Sequence, residues 1–396
     1  MRKRILLLSF FYPPDLSAGS FRANALVDAL CERATGNVDI DVLTTQPNRY
    51  HSHVGEALAV EQQGCVCVRR IQLPLHKSGF VDQAKAFAAF ALQAKRIARE
   101  GRYDVVVATS SRLMTAVLGS WIACRQRTRL YLDIRDIFVE NLRELFPAPF
   151  GRALSTLFGA LERWSVRRAD KVNLVTAGFL GYFQPRYPEH SFSLHSNGVD
   201  DDFLDFPVTT TARPSAGSPL RILYAGNIGD GQGLHLIIPA LAQCLAGRAH
   251  FLIVGAGGRL QALREAVTAR ALDNVELVEP VARERLLDMY HQADVLFLHL
   301  NDFRAFRRVL PSKLFEYAAT GKPIWAGVAG YAADFIRTEI SNAEVFAPCD
   351  MAGAIAALES VRYEQVSRPE FVERFARRRI MVSMADDVLQ LLQGDR

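Results

Sequence analysis

Short, almost wholly apolar runs alternate along this chain with longer stretches of helical periodicity, and after a break the alternation begins again. The first series is Ile5 to Phe10, Ile40 to Leu43, Val66 to Arg70, Val105 to Ala108, Leu130 to Asp133 and Val172 to Val175. The second is Arg221 to Ala225, His250 to Val254, Val275 to Val278, Val295 to His299 and Pro323 to Ala326. A strand that is apolar at nearly every position is covered on both faces, so each series predicts a parallel sheet between helices, an α/β fold. The break, Asp200 to Pro219, is rich in Pro, Ser, Thr and Asp and reads as a linker. At 396 residues the chain is longer than one core usually serves. The expected domains are 1–205 and 206–369, with a last helical segment, about 370–396, available to pack back onto the first. Doubly wound domains take ligands at the carboxyl ends of their strands, which makes a cleft between the two the expected site.

Composition narrows the classes further. Hydrophobic residues at 49% and charged residues at 22% match a soluble globular chain and exclude disorder and a disulfide-framework miniprotein. A net charge of +5 is too mild for a nucleic-acid binder of this size. Its distribution is uneven: residues 69–186 hold 20 Lys and Arg against 9 Asp and Glu, a surplus of 11, and the remainder is negative by 6. Cys31, Cys65, Cys67, Cys124, Cys244 and Cys349 form no CxxC pair and are expected as free thiols in a reducing cytoplasm. The run Ile5 to Tyr12 ends in Pro13-Pro14-Asp15 rather than a small-residue cleavage site, so it is read as a first buried strand. No apolar run reaches the 18 residues that a membrane span needs.

Three segments carry candidate chemistry. The first strand opens into Tyr12 to Ser20, small and polar, with a helix expected from about Phe21 and a cap at Ser20. At the start of the second half, Gly226, Gly229, Gly231 and Gly233 follow a strand and precede a helix, which keeps the backbone bare for a close approach. A second turn, Gly255-Ala-Gly257-Gly258-Arg-Leu260, lacks the third glycine of a dinucleotide fingerprint. The most informative segment is Pro311-Ser312-Lys313-Leu314-Phe315-Glu316-Tyr317, closed by Gly321. Pro and Ser suit a helix start and Gly its end, while Lys313 in the first turn opposes the helix dipole unless it shares an anion. Glu316 falls one turn above Ser312, placed to accept two vicinal hydroxyls. A nucleotide's phosphates and ribose would satisfy both.

The order and spacing of these segments resemble the GT-B glycosyltransferases, in particular glycosyltransferase family 4. Tyr12-Pro-Pro-Asp, Arg22, Asp133-Ile-Arg135-Asp136, Glu162-Arg163, Ala169-Asp170-Lys171, Asn197-Gly198-Val199-Asp200, Ala225-Gly-Asn-Ile-Gly and Pro-Ser-Lys-Leu-Phe-Glu-Tyr are collinear with that pattern over nearly the whole chain. The resemblance implies two Rossmann-like doubly wound domains facing a central cleft, and a retaining, metal-independent transfer from a nucleotide sugar, with a UDP-sugar favoured and no cofactor. It implies that Glu316 binds the ribose, and that Ser312, Lys313 and the backbone from Leu314 hold the diphosphate. Gly226 and Asn227 would line the donor, the main chain at Val281 would meet the base, and Gly19 would close over the sugar. Lys313 and Glu316, with Asp136 as the group orienting or deprotonating an acceptor hydroxyl, are the expected catalytic residues. Asp133, Arg135 and Asp136 could equally form a structural ion pair, and His299 could approach the donor or simply be packed.

Three departures from the family pattern stand out. Arg308 occupies the place of a first Glu, and Asn227 and Gln232 replace cations of the glycine turn, so neutralisation would lean on Lys313 and on Arg304, Arg307 or Arg308. Arg135 before Asp136 replaces a catalytic His, which resembles a subgroup that assembles bacterial surface polysaccharides. The basic stretch adds a partner class. Lys85, Lys95, Arg96, Arg99, Arg163, Arg167, Arg168 and Lys171 lie among Phe87, Phe90, Phe146, Phe150, Leu157, Phe158 and Trp164, a mixture suited to an anionic inner-membrane surface and a lipid-linked saccharide acceptor. The rival functions are a nucleotide-sugar epimerase of the same fold and a non-catalytic binding subunit.

Overall fold

The computed structural model describes residues 2–15, 17–34, 36–47, 57–74, 80–110, 112–146, 149–204, 206–207 and 218–393. Leu16 of the first loop, Pro147 and Ala148 of the aromatic stretch, and residues 205 and 208–217 of the expected linker lie outside them.

The apolar runs form strands where they were expected. Unit 1 comprises Met1–Asn197 with Arg377–Arg396. Its strands are β1 (Lys3–Leu8), β2 (Val38–Thr45), β3 (Val60–Gln63), β4 (Val66–Ile71), β5 (Val105–Ser110), β6 (Arg129–Ile134), β7 (Lys171–Leu174) and β8 (Phe192–Ser193). They lie in the order β3-β4-β2-β1-β5-β6-β7-β8. Only β3 runs antiparallel, against β4. Unit 2, Gly198–Ala376, has β9 (Leu220–Ala225), β10 (Ala249–Val254), β11 (Val275–Val278), β12 (Val295–His299), β13 (Ile324–Gly327) and β14 (Ala343–Phe346) in the order β11-β10-β9-β12-β13-β14, all parallel. In both sheets the order reverses beside the first strand of the series, the switch point at which doubly wound folds bind ligands.

Burial explains the composition of these strands. Ile5 to Leu8 and Val105 to Ala108 are wholly inaccessible because helices cover both faces. One face of the first sheet packs under the helices Ala18–Arg33 and Arg377–Gln393, with Leu26, Leu30, Val107, Met381, Met384 and Val388 in one cluster. Unit 2 is covered on one face by Ile237, Leu241 and Trp325 and their neighbours, and on the other by Leu314, Phe315, Tyr317 and Phe371.

The unit boundaries differ from the expected 205 and 369. Val199 donates its N–H to the Phe375 carbonyl at 2.7 Å and bridges Ala376. Phe203 packs edge-on against Tyr290, and Phe206 stacks on His291 at 4.0 Å. These contacts bind residues 198–204 and 206 into unit 2. The final helical segment is divided: Pro369–Arg374 buries Phe371 in unit 2, while Arg377–Gln393 joins unit 1. The strands β3, β8 and β14 were not foreseen, since Val-Glu-Gln-Gln, a two-residue run and Ala-Glu-Val-Phe carry too little apolar pattern. Among the described residues no helix is long and apolar enough to cross a membrane, and no cluster of His, Cys, Asp and Glu could hold a metal ion. The six thiols are free, with the Cys31 and Cys65 sulfurs 3.2 Å apart.

Candidate active site

At the switch point of unit 2, β9 is followed by Gly226, whose φ of +143° favours glycine. A Cβ there would stand 2.7 Å from the Lys313 Nζ, so the missing side chain leaves room for the ammonium. Lys313 begins the helix Lys313–Ala319, with Ser312 at the cap position and Pro311 before it. The expected helix start thus moves inward, because Ser312 makes no side-chain cap bond and the first amides close tight turns, Leu314 to the Pro311 carbonyl and Phe315 to that of Ser312, both at 3.1 Å. The Lys313 Nζ lies 3.6 Å from the centre of the Tyr224 ring, is buried and has no hydrogen-bond partner among the described residues. Burial pushes its pKa down to about 7, against a smaller upward pull from Glu316.

Glu316, half-buried, accepts from the Tyr290 hydroxyl at 3.3 Å and faces the Arg283 guanidinium at 3.5 Å. Arg283 also pairs with Asp200 and Asp202, both at 2.9 Å, and lies over the Phe203 ring. The glycine turn is held from within. Asn227 donates to the Gln232 Oε1 at 2.8 Å, the Gly229 N–H to the same oxygen, and the Tyr224 hydroxyl to the Asn227 carbonyl at 2.6 Å. Gly255 and Gly257, both at positive φ, lie against the Gly226 and Ile228 backbones so closely that a Cβ would collide. The second glycine turn is therefore a support for the first.

In unit 1, the helix Ala18–Arg33 starts three residues before the expected Phe21. Ser17 rather than Ser20 caps it, accepting from the Ser20 N–H at 3.2 Å. A Cβ on Gly19 would meet the Arg135 Nη1 at 2.6 Å, so this glycine accommodates Arg135. Asp136, half-buried, is the second residue after β6.

Two family models match the chain, one described as glycosyl transferases group 1 over residues 219–361, the other as a glycosyl transferase 4-like domain over residues 20–190. Together they take in all of the second sheet and the first sheet except β1 and β8. The chain belongs to the GT-B glycosyltransferases. Over 347 residues, 80% of this chain and 81% of the relative, the glycosyltransferase is 25% identical to an Escherichia coli protein named as a colanic acid biosynthesis glycosyl transferase, WcaI. The fold is that of Anabaena HepE solved with UDP-glucose (TM-score 0.61, 14% identity, covering 98% and 99% of the two chains). It is also that of WaaG, a glycosyltransferase involved in lipopolysaccharide biosynthesis (TM-score 0.60, 15% identity, 98% and 97%).

The structure of this glycosyltransferase brings Gly226 and Lys313 together, with Glu316 one turn along the same helix. Leu314 is a core residue, fully buried with its main chain, and its N–H closes the turn onto the Pro311 carbonyl at 3.1 Å, so the diphosphate contact expected of its backbone is not open here. Val281 lies half-buried between β11 and the helix Arg283–Gln292. His299 is a bracket: its Nδ1 donates to the Gln232 carbonyl at 2.6 Å and its Nε2 accepts from the Cys349 N–H at 3.0 Å. Burial pushes its pKa down to about 4, so it stays neutral. Asp133 pairs with Arg22, 111 positions away; both are 1% exposed. Burial works against that carboxylate, yet Arg22, Arg135 and Asn173 hold it below the usual range. Tyr224, Tyr290 and Arg283 were missed, since their roles arise from contacts between elements and leave no local signal.

Phe87 and Phe90, expected beside the cations, are core residues packed on Phe10. Phe150 and Leu157, at 56% and 58% exposure, do face solvent, as Trp164 does in part.

Proposed function

We propose that this glycosyltransferase moves a sugar, with retention of anomeric configuration and without a metal, from a nucleotide sugar to a lipid-linked or oligosaccharide acceptor in bacterial surface polysaccharide synthesis. A UDP-sugar is the favoured donor. The observation that carries the reading is the buried, unpartnered Lys313 ammonium beside Gly226, a cation in want of an anion. A diphosphate there supplies it, and the same charge stabilises the leaving nucleoside diphosphate as the anomeric C–O bond breaks. Glu316 accepts from the ribose hydroxyls, with the Ser312 hydroxyl and the Gly226-Asn227 turn around the phosphates and Val281 beside the base. In unit 1, Gly19 is assigned to the sugar, as the family resemblance implies, and Asp136 to the acceptor hydroxyl, whose oxygen forms the new bond as its proton passes to the Asp136 carboxylate.

HepE was solved with UDP and with UDP-glucose, and WcaI and WaaG carry names from surface-polysaccharide assembly, which supports the donor and pathway classes. Exposed Leu92, Phe150 and Leu157 near Arg96, Arg99, Arg152 and Arg163 support a peripheral position on anionic lipid at the inner membrane face. The test is a thermal-shift screen of nucleotides and UDP-sugars, followed by product analysis. At about 100 times its dissociation constant a ligand stabilises by about 2.7 kcal/mol. UDP-glucose should raise the melting temperature of the wild type and not of Lys313→Met. No shift with any nucleotide sugar, or an equal shift in the variant, overturns the reading.

A further inference from the structure

Away from the glycine turn, unit 1 contains a cavity of about 430 Å³. It lies between the helix Phe150–Arg168, Val139 of the helix that follows β6, and Tyr182 to Tyr187 in the segment that follows β7. Its volume is within the range of small-molecule sites, and two of its three walls come from the segments that follow β6 and β7 in the chain.

The walls mix polar and apolar surface in about equal parts. Ser155, Gly159, Glu162 and Arg163 come from one face of the long helix, joined by Thr156, Tyr182, Arg186 and Tyr187, with Val139 and Ala160 as the aliphatic members. Glu162 is 4% exposed. Tyr187 donates to its Oε1 at 3.1 Å, and Tyr182 reaches the same oxygen at 3.1 Å and Oε2 at 3.3 Å. The donors crowd one oxygen and leave the other with a single long contact, although a carboxylate can accept about four hydrogen bonds. One carboxyl against two guanidinium groups leaves the lining net positive, which disfavours a cationic ligand. An acyl chain would leave the carboxyl and both guanidinium groups desolvated without partners on the ligand, which disfavours it. A polyol fits, because each hydroxyl can donate to the carboxylate and accept from arginine.

Gly159 supplies an independent sign. A glycine inside a helix costs stability relative to alanine, and nothing in the backbone requires one here. A Cβ would meet only the Val139 Cγ1, at 3.8 Å, ordinary contact. A larger side chain would fit the helix and fill the cavity. Burial also raises the Glu162 pKa to about 7, so the carboxyl can both donate and accept near neutrality.

We propose that this cavity is a saccharide subsite in which Glu162, Arg163 and Arg186 hold the hydroxyls of one sugar unit, with Gly159 left small to admit it. That the sugar belongs to the acceptor rests on the transferase reading; that the cavity binds a sugar does not. The experiment is saturation-transfer difference NMR on the full chain with the methyl glycosides of glucose, galactose, fucose and N-acetylglucosamine. At least one should receive saturation, and the signal should vanish in Gly159→Leu and in Glu162→Gln while the UDP-induced thermal shift of both variants persists. Gly159→Leu decides the matter if Glu162→Gln does not fold. No transfer to any glycoside in the wild type, or undiminished transfer in a folded Gly159→Leu, overturns the proposal. Transfer without any nucleotide shift would leave the subsite standing and remove the transferase reading instead.

Discussion

Lys313 is charged where its surroundings favour neutrality. In the folded apo-protein its pKa is about 7, against 10.5 ordinarily. The unfolded chain therefore binds a proton that the folded chain releases between those values, and stability should rise with pH across that window. Below about 7 the cost of burying the charge is fully present. Lys313→Met removes it, so we expect that variant to melt higher than the wild type near pH 7, by at least about 2 °C, in exchange for its donor site. A bound diphosphate reverses the preference by favouring the ammonium. Affinity for UDP-glucose, whose diphosphate keeps both charges throughout, should weaken above pH 7 by up to about tenfold per unit. Isothermal titration from pH 6 to 9 measures it, and a flat profile would assign the diphosphate to another cation. Of this, the sequence showed a lysine opposing a helix dipole. Its isolation depends on Tyr224, on a strand distant in the chain, and on a backbone bent to pass it.

The two glycine turns show what single elements can conceal. Gly255 was read as a failed cofactor loop, yet its lack of a side chain serves the Gly226 carbonyl pressed against it. Gly255→Ala combines that collision with a positive φ and should cost about 2 kcal/mol or more in urea unfolding. Gly258→Ala meets nothing within 4 Å and should be close to neutral. Apart from β3, β8 and β14, the strands were legible to within two residues at either end, because burial on both faces makes a strand apolar throughout. Element ends were less so. Ser17 and Ser20 are equally good caps by type, and only the chain's path out of Tyr12-Pro13-Pro14 decides for Ser17. His299 was open in sequence for the same reason: its fate rests on the Gln232 carbonyl and the Cys349 amide, which belong to two separate loops.

At the scale of the molecule, the basic stretch 69–186 falls wholly within unit 1, and unit 1 is centred on a buried ionic knot. Arg22 joins Asp133 through two 2.9 Å bonds and reaches the Ser196 and His195 carbonyls, while Asn173 bridges Asp133 and His195. Removing one partner strands the other, so Asp133→Ala should destabilise unit 1 by about 3–5 kcal/mol. Hydrogen exchange resolved by unit should register that loss in β1, β5 and β6 and leave β9 and β12 protected; uniform loss would mean that the units unfold together. The motifs made Asp133 and Arg22 visible, though not as partners 111 positions apart. The helix Arg377–Gln393 places Met381, Met384 and Val388 over the first sheet. That return path sets an order of assembly at the ribosome: the sheet made first is completed last. Throughout synthesis of the second sheet, the first keeps an apolar strip uncovered, a stretch of time in which a chaperone, or a neighbouring nascent chain, can reach it first.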